Sequence, residues 1–314
     1  MEYTNLGKSD LVVSKIGLGT WQFGDKDWGW GTEYGEDEAL TTIHRALDLG
    51  INFIDTAEVY GDGISEAVVG KAIQDRRDEV IIATKVWGGH LRHEDVLQAA
   101  GGSLRRLGIE TIDLYQIHWP SYYVPLEETM EALQKLVEQG KVRYIGVSSF
   151  SVPLLREAQL HLKSAIISNQ VRYNLLQREI EKEILPYCRR EGIAVIAYSP
   201  LAQGLLTGKF HEDFQATDGI RKANPLFNSK NLGQALKVVK VLGEIAANRG
   251  KTIAQVALNW LIQQRGVVAI PGAKRPEQIE ENAGACGWKL TQEELSRIEK
   301  ACGALKLSYY RYRD

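Results

Sequence analysis

The chain has 314 residues, 44% hydrophobic and 25% charged, which is the make-up of an ordinary globular protein and excludes a disordered or collagen-like one. Lys and Arg number 38 against 40 Asp and Glu, a formal charge of −2, so the chain lacks the basic excess that neutralising many nucleic-acid phosphates requires. Cys188, Cys286 and Cys302 are odd in number and widely spaced, indicating neither a disulfide framework nor a zinc cluster, and they are expected as reduced thiols. Met1 to Asn5 lacks the pattern of a signal peptide and no apolar run approaches the ~18 residues that span a bilayer, so a cytoplasmic location without membrane contact is expected.

In chain order, Glu2 to Val13 reads as a small hairpin turning through Leu6-Gly7-Lys8-Ser9-Asp10-Leu11, placed to plug the bottom of a barrel. Short Val/Ile/Leu runs then recur at Ile16–Leu18, Ile51–Ile54, Val80–Ala83, Ile112–Tyr115, Tyr144–Val147, Ala165–Ile167, Ala194–Ala197 and Val267–Ile270. Segments with helical spacing lie between them: Asp37–Leu49, Ser65–Gln74, His93–Leu107, Leu126–Glu138, Pro153–Leu160 and Glu179–Arg190. Gly50, Gly108, Gly140 and Gly192 follow such segments directly, where a left-handed helix cap favours glycine. This alternation predicts a parallel sheet covered by helices. The spacing of the runs suits a (β/α)8 barrel of ~250 residues with additions, in a single domain over 1–314. An open doubly wound sheet is the competing arrangement. The interval from Ala194 to Val268 is far longer than the others, which predicts a long loop over Leu205–Leu232 followed by helices at Gln234–Asn248 and Thr252–Gln264.

Chemistry in such a barrel sits where strands run into the following loops. Here those ends are polar: the Ile51 run ends in Asp55 with Tyr60 close behind, the Val80 run in Lys85, and the Ile112 run in His118. A phenol has an ordinary pKa near ~10, and an adjacent ammonium stabilises its phenolate, so Lys85 is expected to bring Tyr60 down at a cost of about 3 to 4 kcal/mol in differential interaction. Asp55 is placed to hold Lys85 charged, and His118 to hydrogen-bond a substrate oxygen. Each residue alone has a structural use, as turn, snorkelling cation, core histidine or loop packing, but the four together at successive strand ends point to a proton-transfer site.

With these residues the chain resembles the aldo-keto reductases. The matching segments are Gly17-Leu18-Gly19-Thr20-Trp21, Phe53 to Gly61, Ala83-Thr84-Lys85, Asp113 to Pro120, Gly146-Val147-Ser148-Ser149-Phe150, Gln170 to Asn174 and Ala197-Tyr198-Ser199-Pro200-Leu201, in order along nearly the whole chain. Asp55, Tyr60, Lys85 and His118 fall on that family's catalytic tetrad. The resemblance implies an alcohol dehydrogenase (NADP+)-type oxidoreductase that interconverts aldehydes or ketones and alcohols, with NADPH or NADP+ as cofactor, NADH as a second option, and no metal. It also implies a dinucleotide bound in extended form. The fragment Gly17-x-Gly19-x-x-Gln22 lacks the third glycine of a Rossmann fingerprint.

By resemblance, Gly19, Thr20 and Trp21 border the cofactor, Ser148, Ser149 and Gln170 reach the nicotinamide carboxamide, and Tyr198 stacks on its ring. Ser199, Pro200, Leu201, Gln203, Gly204 and Lys209 line the pyrophosphate. Pro271 to Asn282 resembles the adenosine-phosphate segment, with Glu281 and Asn282 near the adenine. The chain departs from the family at three positions: Ser149 stands where Asn is usual, Gly272 where many relatives carry Lys, and Gln278 where they carry Arg. Lys274 and Arg275 are the replacements expected at a 2′-phosphate, which favours NADP over NAD.

On the substrate side Trp21, Gln22, Asp27-Trp28-Gly29-Trp30, Trp87 and Trp119, with Tyr60 and His118, predict an apolar cleft for carbonyl compounds. The tail Leu307 to Asp314 is short, so no long substrate loop is expected from it. The alternative function is a nicotinamide-binding regulatory subunit with little turnover, a role taken by relatives that act on potassium channels. A metal-dependent barrel hydrolase would need more ligands at strand ends than His118 and Asp55.

Overall fold

The computed structural model describes residues 1–308; the aromatic end of the predicted tail lies outside them. It opens with an antiparallel hairpin, β1 (Tyr3–Asn5) and β2 (Val12–Ser14), registered Tyr3 to Ser14. The barrel strands are β3 (Leu18–Gly19), β4 (Phe53–Asp55), β5 (Ile81–Val86), β6 (Ile112–Ile117), β7 (Val142–Ser148), β8 (Ile166–Arg172), β9 (Ala194–Tyr198) and β10 (Val267–Ala269). All pair in parallel in sequence order. Bridges Ile16–Ala269 and Gly19–Gly272 join the first strand to the last, closing the (β/α)8 barrel and disposing of the open-sheet alternative.

The strands form because they are buried on both faces and are rich in Val and Ile, as parallel strands under helices must be. Helices α1 (Glu36–Asp48), α2 (Ile64–Ile73), α3 (His93–Leu107), α4 (Leu126–Glu138), α5 (Val152–Leu160) and α6 (Ile184–Glu191) follow successive strands and cover the outside. Four glycines end helices at positive φ: Gly50 (79°), Gly108 (64°), Gly140 (70°) and Gly192 (66°). Beyond β9 come α7 (Gly219–Ala223), α8 (Ser229–Arg249), α9 (Ile253–Ile262), α10 (Pro276–Ala283) and α11 (Gln292–Gly303).

Two expectations are corrected here, and two helices are added. The helix expected over Glu179–Arg190 is a 3-10 turn, Glu179–Glu181, and then α6, because Glu183 has a non-helical φ of −136°. The expected loop 205–232 carries α7 and two 3-10 turns, and α8 starts at Ser229 because the Asn228 side chain accepts from Asn231 N and caps it. Helices α10 and α11 had no sequence-based expectation, although Thr291 and Glu294 form the capping box that marks the start of α11.

The inside of the barrel holds its own apolar cluster of Phe53, Ala83, Leu114, Ile167, Ile196 and Val268, sealed from below by Leu6, Leu11 and Val13 of the hairpin. Gly7 makes that seal possible: at φ +61°, its missing side chain would collide with the Ile167 carbonyl. Register shifts once, at Ile145/Gly146, where Gly146 skips Ile167 to pair with Ser168. The shift puts Ser148 opposite Gln170, two polar side chains at the carboxyl mouth.

Candidate active site

Four side chains meet at that mouth. Asp55 ends β4, Lys85 lies near the end of β5, His118 follows β6, and Tyr60 opens the turn that leads into α2. Lys85 is fully buried, and its Nζ donates to Asp55 Oδ1 at 2.6 Å, the Thr56 carbonyl at 2.8 Å and the Tyr60 hydroxyl oxygen at 3.1 Å. An ammonium has three protons, and all three are used. Because Lys85 donates to the phenol oxygen, the phenol's own proton is free to point elsewhere.

Burial works to discharge Lys85, but Asp55 and Tyr60 overcome it and raise its pKa, so it stays an ammonium. For Tyr60 burial is again the leading cause and here it prevails: the phenol pKa is raised although Lys85 pulls it down. The expected lowering of Tyr60 is therefore corrected, and in the free protein the phenol is a protonated acid. Burial and the Lys85 charge push His118 down to about 3, so its imidazole is neutral at ordinary pH. It stands edge-on to Tyr60 (5.5 Å between centroids) and to Trp87 (5.6 Å), and its Nδ1 is buried without a partner among the described residues.

Asp55 is supported from the inside of the barrel. Its Oδ2 accepts from Gln170 Nε2 at 2.7 Å and from Gln116 Nε2 at 3.1 Å. Thr20 Oγ1 donates to the Asp55 carbonyl at 3.0 Å and also accepts from Ser65 Oγ at 2.8 Å, pinning the start of α2 to the ends of β3 and β4. On the outer face of β5, Thr84 donates to the buried Glu66 at 2.6 Å, and Arg106 of α3 donates to the same carboxylate at 2.7 Å.

The other expected residues lie at or near the ends of β3, β7, β8, β9 and β10 and in the segments that follow them. Ser148 is buried at the end of β7; Ser149 follows it at φ +62°, with its Oγ buried and unpartnered among the described residues. Left-handed backbone favours Asn among the non-glycine residues, a physical reason for the asparagine usual in this position. Tyr198 ends β9 half-buried, and Ser199 (φ +48°), Ala202 (+49°) and Gln203 (+55°) turn the chain sharply past Pro200, Leu201 and Gly204. Such clustered strain marks functional walls. Gly19 is buried, with its N–H given to the Pro271 carbonyl. Gln22 turns inward and donates to the Gly19 and Ala273 carbonyls (3.1 and 2.7 Å), and its Oε1 would stand 2.8 Å from a Cβ placed on Gly272.

Lys274 pairs with Glu33 at 3.1 Å, and its backbone N–H goes to Gln278, which thereby anchors α10. Arg275 is more exposed and reaches the Glu33 carbonyl. Within α10, Asn282 is buried with Nδ2 unpartnered among the described residues, and Glu281 is half-buried. Lys209 has its pKa lowered by burial and by the charges of Arg221 and Lys274, so three cations lie near one another. Arg221 (5.1 Å) and Lys274 (5.8 Å) both lie over the Trp28 ring, which packs edge-on against Trp21. Arg221, Gln116 and the Thr56 carbonyl were not foreseen from sequence: Arg221 lies in a segment without periodicity, Gln116 inside a strand, and a carbonyl carries no sequence signal. Trp21, Trp87 and Trp119 are 38 to 40% exposed at the rim, wide for water-facing tryptophans.

The left-handed wall, the orphaned Ser149 Oγ and Asn282 Nδ2, and the cation group fit a long anionic ligand carrying polar ring substituents. A closed (β/α)8 barrel with this side-chain set at its carboxyl mouth is the architecture of a barrel oxidoreductase. The sequence model of the Aldo/keto reductase family matches residues 15–302. The chain is 40% identical over 315 residues to the aldo-keto reductase YhdN of Bacillus subtilis (strain 168), covering 95% of this chain and 92% of that one. It is 33% identical over 329 residues to the NADH-specific methylglyoxal reductase of Escherichia coli (strain K12), covering 98% and 100%. The crystal structure of an aldo-keto reductase from Klebsiella pneumoniae in complex with NADPH superposes with a TM-score of 0.79 at 32% identity, covering 99% of this chain and all of that one. The chain belongs to the aldo/keto reductase family. No helix among its described residues is long and apolar enough to cross a membrane.

Proposed function

We propose that the protein reduces aldehydes or ketones to alcohols, reversibly, with NADP(H) as cofactor and Asp55, Tyr60, Lys85 and His118 as the reacting set. The observation that carries this reading is the Lys85 ammonium with all three protons committed to Asp55, Thr56 and Tyr60. When bound, a reduced nicotinamide supplies hydride chemistry at the carbonyl carbon. The protein's part is the proton. Tyr60, protonated and flanked by a fixed positive charge, donates to the carbonyl oxygen, and Lys85 stabilises the phenolate left behind. His118, neutral, donates one hydrogen bond to the same oxygen and so aligns it. In the oxidative direction the phenolate accepts the alcohol proton.

For the cofactor, Ser148, Ser149 and Gln170 would hold the carboxamide and Tyr198 the ring. Ser199 to Gly204 with Lys209 would hold the pyrophosphate, and Lys274, Arg275, Glu281 and Asn282 the adenosine end. NADPH is favoured by Lys274 and Arg221, which lie over the same Trp28 ring and would take the extra 2′-phosphate. The Klebsiella relative's NADPH supports this, while the E. coli relative's stated NADH specificity makes NADH the competitor. Trp21, Trp87 and Trp119 would face the substrate, an apolar or aromatic carbonyl compound.

The test is absorbance at the reduced-nicotinamide band, with NADPH and NADH each run against aromatic and aliphatic aldehydes and ketones. Loss that needs both protein and carbonyl, faster with NADPH, is expected. Cofactor binding without turnover in either direction would overturn the enzyme reading in favour of a nicotinamide-sensing regulatory subunit.

A further inference from the structure

We propose that Glu58 is a positioning residue that holds Trp87 beside His118, and so sets how tightly a carbonyl compound with a bulky ring is bound, without taking part in the proton transfer. The inference rests on the reading of Trp87 as substrate-facing given above. The pairing of β5 with β6 ends at Val86, whose carbonyl accepts from His118 N at 3.0 Å. The next fixed point is the buried Leu91, whose carbonyl accepts from Thr129 Oγ1 at 2.7 Å. Between them lie Trp87, Gly88, Gly89 and His90, closed into a turn by His90 N donating to the Trp87 carbonyl at 2.8 Å. Two consecutive glycines give this turn little stiffness of its own. Among the described residues, its hydrogen bonds to the rest of the chain go to one atom: Glu58 Oε1 accepts from Trp87 N at 2.6 Å and from His90 Nδ1 at 3.0 Å, one donor from each end of the turn. A carboxylate only accepts, so His90 presents a protonated Nδ1 to it.

Glu58 can do this because of where it lies. It belongs to the segment between Asp55 and Tyr60, its own N–H reaches the Lys85 carbonyl at 3.4 Å, and its side chain is only 10% exposed. One segment therefore carries the proton donor and holds the neighbouring wall. His118 stands edge-on to both rings, Tyr60 at 5.5 Å and Trp87 at 5.6 Å between centroids, and stacks on Trp119 at 6.2 Å. A Cβ at Gly88 would stand 3.1 Å from the Trp119 carbonyl oxygen, so the turn also lies against the rim segment after β6. With the carboxylate removed, both donors of the turn lose their acceptor and Trp87 is free to swing away from His118, while the contacts of Lys85 to Asp55, Thr56 and Tyr60 stay as they are. A glutamine keeps an oxygen for the Trp87 N–H and so keeps the wall.

Two readouts are taken on the full-length protein. In protein labelled with 5-fluorotryptophan, Trp87→Phe identifies the Trp87 line among those of the seven tryptophans. That fluorine line is expected to move or broaden in Glu58→Leu and to stay in place in Glu58→Gln. In NADPH-dependent reduction, the KM of Glu58→Leu for 2-naphthaldehyde is expected to rise about five- to tenfold, the worth of one hydrogen bond, with kcat within about twofold of wild type. The KM for propanal, a small aldehyde that needs no aromatic wall, is expected to change by less than about twofold, and Glu58→Gln to recover the wild-type pattern. An unmoved fluorine line in Glu58→Leu, equal KM rises for both aldehydes, a fall in kcat alone, or a Glu58→Gln protein indistinguishable from Glu58→Leu overturns the proposal. Glu58→Ala takes the place of a leucine variant that does not fold; failure of both to fold overturns it too, by making the carboxylate a requirement of the fold. A wild type that reduces neither aldehyde sinks the reductase reading instead, and the fluorine spectra still decide whether Glu58 holds Trp87.

Discussion

Tyr60 is the residue on which the chemistry turns, and its surroundings define what replacing it should do. Tyr60→Phe removes one hydroxyl and leaves the ring, the Lys85 contacts to Asp55 and Thr56, and the cofactor wall in place. Carbonyl reduction is expected to fall by about 10²- to 10⁴-fold in kcat, with NADPH affinity within about twofold of wild type. Near-native turnover would remove Tyr60 as the proton donor. His118 offers a test of the electrostatics that needs no substrate. Its folded pKa of about 3 lies below the model-compound 6.5, so between those values the unfolded chain takes up a proton that the folded imidazole refuses. Stability contributed by this site is therefore complete above 6.5 and declines as pH falls, by at most about 1.4 kcal/mol per pH unit. Urea unfolding of wild type and His118→Asn at pH 7, 6, 5 and 4 should show the wild type losing ground faster; parallel curves would mean that the imidazole is not buried neutral.

Among elements, the barrel strands were legible because a strand covered on both faces must be an unbroken apolar run, and the mouth was legible because Asp55, Lys85 and His118 interrupt such runs. What escaped has equally physical causes. Gln116 interrupts a strand too, but an amide inside a barrel suggests no chemistry until its partner Asp55 is seen. Arg221 lies in α7, one turn long, held by Asp218 and by the rings of Trp28 and Phe210 rather than by helical periodicity. The sign of the Tyr60 shift was misjudged because sequence supplies the neighbouring charge but not the depth of burial. The same limit applies to Glu66 on α2, which sequence alone does not single out and which is fully buried between Thr84 and Arg106. It ties α2 and α3 to β5 one residue before Lys85. Arg106→Met would strand that carboxylate, at a cost of about 3 to 5 kcal/mol, and adding Glu66→Gln should restore most of it. Denaturation midpoints of the two single variants and the double variant decide the matter: simple additivity would show that the two side chains do not act as a pair.

On the scale of the whole molecule, a chain of net charge −2 concentrates positive charge where an anion would lie. Lys209, Arg221 and Lys274 come from the long segment after β9 and the segment after β10, and Trp28 from the loop after β3, so the barrel's first and last loops meet at this point. Two of the cations have carboxylate partners, Asp218 for Arg221 and Glu33 for Lys274, yet Lys209 is still depressed, first by burial and then by its cationic neighbours. A field not fully compensated by its own carboxylates attracts phosphate and is weakened by salt. If the group serves a 2′-phosphate, NADPH affinity should fall more steeply than NADH affinity between 0.05 and 0.5 M KCl, as an order-of-magnitude span around the physiological screening range. Lys274→Ala combined with Arg221→Ala should then weaken NADPH by roughly tenfold or more while NADH loses much less, since charge-assisted bonds to the extra phosphate exist for one cofactor only. Equal losses for the two dinucleotides, with parallel salt slopes, would place the cations on the shared pyrophosphate and leave cofactor choice to other residues.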